Sequence, residues 1–398
     1  MKKAIATLCA LAACSAAHSQ SNVTLYGDLD QYLGYIHSNS GKSITGLNDG
    51  TMLRSRWGFK GVEDLGNGLQ AKFQLESGIN ADTGTLGDAS SATSSGRLFD
   101  RQAWVGLAGA FGEFRVGRQN TEIQQIGDYI DYTGRTTFGS VVNNVPVPSR
   151  YDNDISFKMN RTNGFQGAVH YALAEQAGGG IQRSAIYQLS LDYNNGPYRV
   201  GYVGLAAKPL PAVATNTNPH FDNKAQFHNI YADYDYGQGK VYLAYVRTNL
   251  ITSSTANGAT AAQILSNTGS YNTTAGAATT GNLFSGYNAD ILRFMNVYQI
   301  SADYRISSKL RVGALYGQVV DKNHASTANH AGAKGGNIGA IYDLSKRTTL
   351  YTFASYLKND VDAGYRFGGS GAVSANLTAP DVNNHTLTGL QAGIIHRF

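Results

Sequence analysis

Apolar and aromatic side chains recur at every second position in segments of about ten residues, and each segment ends in a polar, glycine-containing break. The last segment shows the pattern clearly. Counting back by twos from Phe398 gives His396, Ile394, Ala392 and Leu390. A period of two places alternate side chains on opposite faces of a β-strand. The pattern therefore predicts a protein made almost entirely of strands.

Sixteen strands are predicted in this way. The breaks between them alternate between short turns, such as Asn194 to Pro197, and long polar loops, notably Ile251 to Asn288 and Asn359 to Asn384. The predicted strands are Val23–Ile36, Thr51–Val62, Leu69–Ile79, Arg97–Ala108, Glu113–Gln119, Tyr151–Arg161, Phe165–Glu175, Ser184–Asn194, Tyr198–Ala207, Ala225–Tyr236, Lys240–Asn249, Asp290–Tyr304, Leu310–Asp321, Gly335–Leu344, Thr349–Lys358 and His385–Phe398.

An even number of alternating strands with short turns at one end and long loops at the other is typical of an outer-membrane barrel. In lipid every backbone polar group must be paired, so a membrane-spanning sheet has to close on itself. All seven prolines fall in predicted loops or turns, where no ladder hydrogen bond is lost. The predicted fold class is all-β, a 16-stranded antiparallel transmembrane β-barrel. The alternative is a soluble β-sandwich or propeller.

The first nineteen residues are predicted to be a cleaved signal peptide. Lys2 and Lys3 precede a short apolar core, and Ala17-His18-Ser19 fits a small-x-small cleavage site. Residues 20–398 then form a single barrel domain. Leu11 to Cys14 also fits the pattern that precedes a lipid-modified cysteine, which is the alternative for this segment.

Composition narrows the function classes. Both cysteines, Cys9 and Cys14, lie in the predicted leader, so the rest of the chain has neither disulfides nor Cys-ligated metal. The formal net charge of +5 falls to +3 without the leader's two lysines, which predicts no nucleic-acid partner. No apolar run approaches the roughly 20 residues of a membrane helix. The histidines are scattered without metal-ligand spacing, so we expect no metal and no cofactor.

The segment from Asn120 to Ser149 is too long to be a simple connection, and loops of this length are usually functional or disordered. Its isoleucines and tyrosines supply enough apolar surface to pack against another part of the protein. The segment also carries Glu122, Asp128 and Asp131, and the flanking strands contribute Arg101 and Arg150. We therefore expect opposite charges to face each other across a narrow passage.

Several sequence runs resemble the general trimeric porins of Gram-negative outer membranes, in the branch typical of β-proteobacteria. The resemblance covers the chain after the leader and is most specific up to Gln119. The runs are Val23 to Gly27, Ser55 to Gly66 (SRWGFKGVEDLG), Phe73 to Gly78, Gly96 to Phe99, Arg101 to Leu107 (RQAWVGL), Gly117 to Gln119 and His396 to Phe398.

The resemblance implies a homotrimeric pore of the cell outer membrane that passes small hydrophilic solutes and ions and is not an enzyme. It also implies that the third loop, Asn120 to Ser149, folds into the lumen. Phe398 would be the terminal aromatic recognised by the barrel assembly machinery. Outer-membrane lipid and lipopolysaccharide are the other expected partners.

In this family, wall arginines face carboxylates on the third loop. Arg56 and Arg101 match the family's runs, Arg150 follows the loop directly, and alternation places Arg54 on the same face as Arg56. The residues expected to line the pore constriction are therefore Arg54, Arg56, Arg101 and Arg150 on the wall, and Glu122, Asp128 and Asp131 on the loop. The chain departs from relatives that carry a glutamate before the loop's Phe-Gly, because Thr137 stands there, and Arg135 adds a positive charge. Both differences favour a mild preference for anions.

Two functions from other classes remain open at this point. One is an outer-membrane barrel with hydrolase activity, although no motif marks a nucleophile in a strand-turn context. The other is a structural or adhesive barrel without an open pore. Its expected plug or passenger domain has little room, because the first strand begins almost directly after the leader.

Overall fold

A computed structural model describes residues 22–86, 97–134, 149–173, 176–177, 181–182, 185–207, 225–248, 294–321, 332–361, 363–367 and 377–398. The predicted signal peptide and the predicted start of the mature chain at Gln20 lie outside these residues. So does the predicted alternative of a lipid-modified Cys14.

Sixteen strands form the barrel within the described residues, when the two segments of the interrupted second strand are counted together. The strands are β1 (Asn22–Ser38), β2 (Ser43–Asp49 and Arg56–Gly66), β3 (Leu69–Asn80), β4 (Gln102–Gly109), β5 (Gly112–Asn120), β6 (Arg150–Lys158), β7 (Phe165–Ala172), β8 (Ile186–Asn195), β9 (Tyr198–Ala207), β10 (Ala225–Asp235), β11 (Lys240–Thr248), β12 (Met295–Arg305), β13 (Leu310–Asp321), β14 (Ala333–Asp343), β15 (Thr348–Asn359) and β16 (Thr386–Arg397). Short two-residue strands lie at Thr85–Leu86, Gln176–Ala177 and Ile181–Gln182.

The sheet closes because the last strand pairs with the first. Each strand pairs antiparallel with its neighbour, and β16 pairs with β1 from Asp28 opposite Arg397 to Ser38 opposite Leu387. Two further backbone hydrogen bonds join Gly27 and Phe398, at 3.0 and 3.1 Å. The terminal residue therefore takes part in closure, and the barrel has no free edge to pair with another chain.

Alternation separates an apolar outer surface from a polar interior. On β8, Tyr187, Leu189 and Leu191 are exposed on the outside, whereas Gln188 and Ser190 are buried on the inside. This is the arrangement expected of a barrel whose outer wall meets lipid and whose interior meets water. None of the helices in the described part of the chain has the length and apolar character needed to cross a bilayer.

The second strand departs from the prediction. Its predicted start at Thr51 is wrong, because β2 begins at Ser43, breaks after Asp49 and resumes at Arg56. At the break the Asp30 carboxylate accepts hydrogen bonds from the backbone N–H groups of Met52 and Leu53, both at 2.8 Å. These two contacts replace ladder hydrogen bonds where residues 50–55 interrupt the strand. The fourth strand also starts later than predicted, at Gln102.

The third loop folds into the lumen, as predicted. It begins with an α-helix, Glu122–Gln125, capped by the Thr121 hydroxyl, and continues as a 3₁₀ helix, Ile126–Tyr129. Ile123, Ile126, Ile130 and Tyr132 of this segment are buried in one apolar cluster with inward-facing side chains of β9–β15. Packing against the opposite wall fixes the loop inside the barrel instead of above it.

The described part of the loop before β16 also lies inside the barrel. Tyr365, Phe367 and Val382 are fully buried in the same apolar cluster as inward-facing residues of β1, β15 and β16. The Asn359 amide donates to the carbonyls of Tyr365 and Val382, both at 2.9 Å, and its oxygen accepts from the Tyr365 N–H at 2.8 Å. This second inward loop further reduces the open cross-section.

Candidate pore constriction

The wall on the β1–β6 side carries the predicted arginines. Arg56, on the resumed part of β2, donates from Nε to Asp28 Oδ2 on β1 at 2.7 Å. Arg54 lies in the break of β2 and donates to Asn80 Oδ1 on β3 at 3.0 Å. Both guanidinium groups are partly exposed inside the barrel, so they can meet a passing solute.

Arg101 and Arg150 lie deeper in the same wall. Arg101 donates from Nε to Glu76 Oε1 at 2.6 Å, and both side chains are almost completely buried. Tyr26 donates to the other oxygen of Glu76 at 2.8 Å. Arg150, the first residue of β6, donates to the Ser149 hydroxyl at 3.2 Å. The four predicted arginines therefore form one basic region of the wall, but Arg101 is fully occupied by its buried carboxylate.

The loop reaches the opposite wall through polar contacts as well as apolar ones. Tyr132 donates from its hydroxyl to Asn337 Oδ1 on β14 at 2.6 Å, and its N–H donates to the Ser301 hydroxyl on β12 at 3.1 Å. The ring of Tyr129 lies between Tyr231 on β10 and the guanidinium of Arg199 on β9, which is 3.6 Å from the ring centroid. The chain thus crosses the lumen from β5 to β14.

Two of the three predicted loop carboxylates turn to the wall. Glu122 is buried and accepts hydrogen bonds from Lys158 Nζ on β6 at 3.1 and 3.0 Å. Asp131 is buried and accepts from Gln299 Nε2 on β12 at 3.0 Å and from the Thr133 hydroxyl at 2.6 Å. Neither carboxylate contacts any of the four predicted wall arginines.

Asp128 is the loop carboxylate that is exposed to the lumen. Enclosure by the barrel raises its pKa, and the nearby Asp131 carboxylate adds to the rise, while Arg311 and Arg56 oppose it. Asp128 therefore lies in the field of two basic side chains from different walls.

The ion pairs of the barrel interior share one asymmetry. Lys240 is 31% exposed and its partner Asp233 only 4%, and Arg311 is 32% exposed against 3% for Asp303. The long basic stems carry their charge away from the wall, whereas the carboxylates stay close to the backbone. The cation is the more exposed partner in the other described Lys and Arg pairs too: Arg56–Asp28, Lys72–Glu113, Arg97–Asp152, Arg101–Glu76, Arg115–Glu113, Arg118–Asp152, Lys158–Glu122, Arg161–Asp192, Arg199–Asp192 and Arg199–Asp233.

Motif reasoning did not find Arg311, Lys240 or Lys158, because they lie between Gln119 and His396, where no family run points to a role. Alternation along the strand could have identified them, because it places each of these side chains on the face that points into the lumen. Arg135 and Thr137, which distinguish this loop from those of acidic relatives, lie outside the described residues.

Comparisons with known proteins identify the family of this chain. The family model for Gram-negative porins matches residues 4–363. An outer membrane porin of Bordetella pertussis is 30% identical and aligns with 90% of this chain and 95% of its own length. Outer membrane porin protein 32 of Delftia acidovorans is 28% identical, with both chains fully covered. Among solved structures, an anion-selective porin from Comamonas acidovorans superposes with a TM-score of 0.71 at 24% identity, covering 95% of this chain and 100% of its own.

Proposed function

The chain belongs to the Gram-negative porin family and forms an outer-membrane channel for passive diffusion, and we propose that this channel mildly prefers anions. The observation that carries the proposal is the asymmetry of the interior ion pairs. A solute passing along the lumen meets the cation first where the partners differ clearly in exposure, as in Lys240–Asp233, Arg311–Asp303 and Lys158–Glu122, although the chain is close to neutral overall.

The expected preference is small. Two unit charges about 10 Å apart in water interact by roughly 0.4 kcal/mol, and most cations here have a carboxylate behind them. A few incompletely compensated charges therefore contribute on the order of 1 kcal/mol, and about 1.4 kcal/mol corresponds to a factor of ten. We expect permeability ratios of a few-fold that shrink as salt shortens the Debye length.

The proposed constriction lies between Asp128 on the third loop and the partly exposed Arg54, Arg56 and Arg311 on the wall. Arg101 and Arg150 support this region from behind. Glu122 and Asp131 contribute by holding the loop, since their carboxylates are occupied. Passage of small hydrophilic solutes without tight binding is expected because Arg56 and Arg311 are each paired with a carboxylate of the wall.

Assembly as a homotrimer is part of the proposal. Val23, Leu25, Leu390 and Ile394 on β1 and β16 are exposed on the outer wall and form an apolar surface suited to another protomer. Lipid and lipopolysaccharide would cover the rest of the wall. Phe398, 48% exposed at the end of β16, is the residue offered to the assembly machinery.

Swelling of liposomes that contain the purified protein tests this function. Three solutes of matched size, one anionic, one neutral and one cationic, should enter with rates that fall in that order. Entry in the reverse order would contradict the anion preference. No entry of any solute would contradict an open pore and favour an anchoring barrel, and turnover of ester or peptide substrates would favour a hydrolase.

A further inference from the structure

A buried ionic cluster joins the start of the third loop to the barrel wall. Glu122, the first residue of the loop helix, is 5% exposed. Lys158 Nζ on β6 donates to both of its carboxylate oxygens, and the Ser190 hydroxyl on β8 donates to Oε2 at 3.3 Å. The backbone N–H of Glu122 donates to Gln188 Oε1, also on β8, at 2.7 Å. One loop residue thus contacts two strands.

His170 on β7 connects the same carboxylate to a second one. Its Nδ1 lies 2.6 Å from Oδ2 of Asp154 on β6, and its Nε2 lies 3.7 Å from Oε1 of Glu122. An imidazole has a proton on both nitrogens only as the imidazolium. The ring therefore satisfies both carboxylates when it is charged. His170 and Asp154 are buried, so these charges are shielded from bulk solvent.

We propose that Glu122, Lys158 and His170 form an ionic anchor that positions the third loop in the lumen and keeps the channel open. This inference rests on the proposed role of the loop as the constriction. The Glu122 carboxylate and the His170 imidazole are buried, so they do not line the path of a solute. The anchor acts through Asp128, which lies in the 3₁₀ helix that directly follows the anchored helix.

The anchor is suited to holding the loop and is not needed to hold the barrel. Continuous ladders already join strands β6, β7 and β8. β6 pairs with β7 from Asp154 opposite Ala172, and β8 pairs with β7 from Ile186 opposite Ala172. In residues 121–134, the described part of the loop, no strand ladder is present. Its beginning depends on side-chain contacts, and hydrogen bonds between charged groups are the strongest of these.

The charges around the anchor define its pH range. The groups that face Glu122 are Lys158 on β6, His170 on β7, Ser190 on β8 and Gln125 in its own helix; Asp154 faces His170. Burial raises the pKa of Glu122, but the His170 imidazole and the Lys158 ammonium outweigh burial and hold its pKa at about 2. A lowered carboxyl pKa means that the anchor's contribution is complete above the ordinary pKa of Glu and is lost as the pH falls towards 2.

The test uses a spin label, because the chain after the predicted leader contains no cysteine. A label at Asp128→Cys reports the mobility of the loop without requiring conduction. Glu122→Gln should increase that mobility, and in the channel with Asp128 intact it should raise the frequency of spontaneous closures on the order of tenfold, equivalent to about 1.4 kcal/mol. Glu122→Asp should restore part of the native behaviour, since it keeps the charge.

Glu113→Gln is the matched control, because Glu113 makes its ion pairs with Lys72 and Arg115 and lies opposite Lys158 in the β5–β6 ladder, so the variant removes a nearby carboxylate that does not hold the loop. It should leave both readouts near the native values. Native mobility in Glu122→Gln, or an equal increase in Glu113→Gln, would overturn the proposal. If Glu122→Gln does not fold, Lys158→Met should show the same loosening, and a native-like label there would also overturn it. A loosened loop in a channel that shows no closures would support the anchor and contradict the constriction.

Discussion

At the scale of residues, side-chain length decides which charge a solute meets. Asp233 and Asp303 end close to the wall, while Lys240 and Arg311 extend past them into the lumen. The net charge does not show which partner of an ion pair is more exposed, because one cation and one carboxylate sum to zero in either case. Sequence reasoning identified Arg56 by its motif, but the exposure of its guanidinium relative to Asp28 depends on neighbouring strands.

Asp128 gives a residue-scale prediction about pH. Its raised pKa means that it loses its negative charge at a higher pH than an ordinary aspartate does. Acidification should therefore increase the anion preference as the pH falls through this pKa. The Asp128→Asn channel should show the higher anion preference already at neutral pH. Its anion preference should then change less as the pH falls. Reversal potentials recorded between pH 7 and pH 4 check this, and a variant with the native pH profile would contradict it.

At the scale of elements, the third loop shows what local sequence can and cannot predict. Its length and apolar content predicted packing against another part of the protein, and the resemblance to porins implied insertion into the lumen. Ile123, Ile126 and Ile130 are buried there. Which carboxylate stays free could not be predicted. Glu122 is taken by Lys158 and His170, 36 and 48 residues further along the chain, and that meeting depends on the register of β6 and β7.

Deleting residues 128–138 gives the element-scale prediction. The deletion should raise the single-channel conductance and the size limit for solutes, because the loop narrows the lumen. The barrel should still fold, since β5 and β6 keep the ladder from Glu113 opposite Lys158 to Asn120 opposite Arg150. Conductance in planar bilayers and the heat-dependent gel mobility of the folded barrel measure the two outcomes. An unchanged current would show that this loop does not limit passage.

The break in β2 is the element that sequence pattern missed. Its alternation continues through Thr51 to Arg56, so a single strand was the natural interpretation. The ladder is replaced there by contacts of Asp30, whose other oxygen accepts from the Tyr351 hydroxyl on β15 at 2.5 Å. The side chains of Asp30 on β1 and Tyr351 on β15 meet only because the barrel closes.

At the scale of the whole molecule, strand count, loop alternation and the terminal phenylalanine were sufficient to predict the architecture. Each rests on the rule that a sheet in lipid has no free edge. The pairing of β16 with β1 confirms the closed barrel. The distribution of charge inside it needed the structure, because it depends on how far each side chain reaches across the lumen.

Oligomeric state gives a prediction at this scale. The protein in mild detergent should have the mass of three chains. On heating, the trimer should dissociate into monomers before the barrels unfold. The apolar wall around Val23, Leu25 and Leu390 supplies the contact surface. Native mass measurement checks the state, with replacement of Leu25 and Leu390 by glutamine as the interface variant. A purely monomeric native protein would contradict the assembly.

The proposed preference for anions depends on cations that extend past their carboxylate partners into the lumen. Its most direct test is the zero-current potential of the channel in a potassium chloride gradient, for the native protein, for Arg56→Gln with Arg311→Gln, and for Asp128→Asn. The native channel should prefer chloride by a few-fold, the double variant should approach equal permeability, and Asp128→Asn should prefer chloride more strongly. A native channel that prefers potassium, or a double variant with native selectivity, would contradict the account.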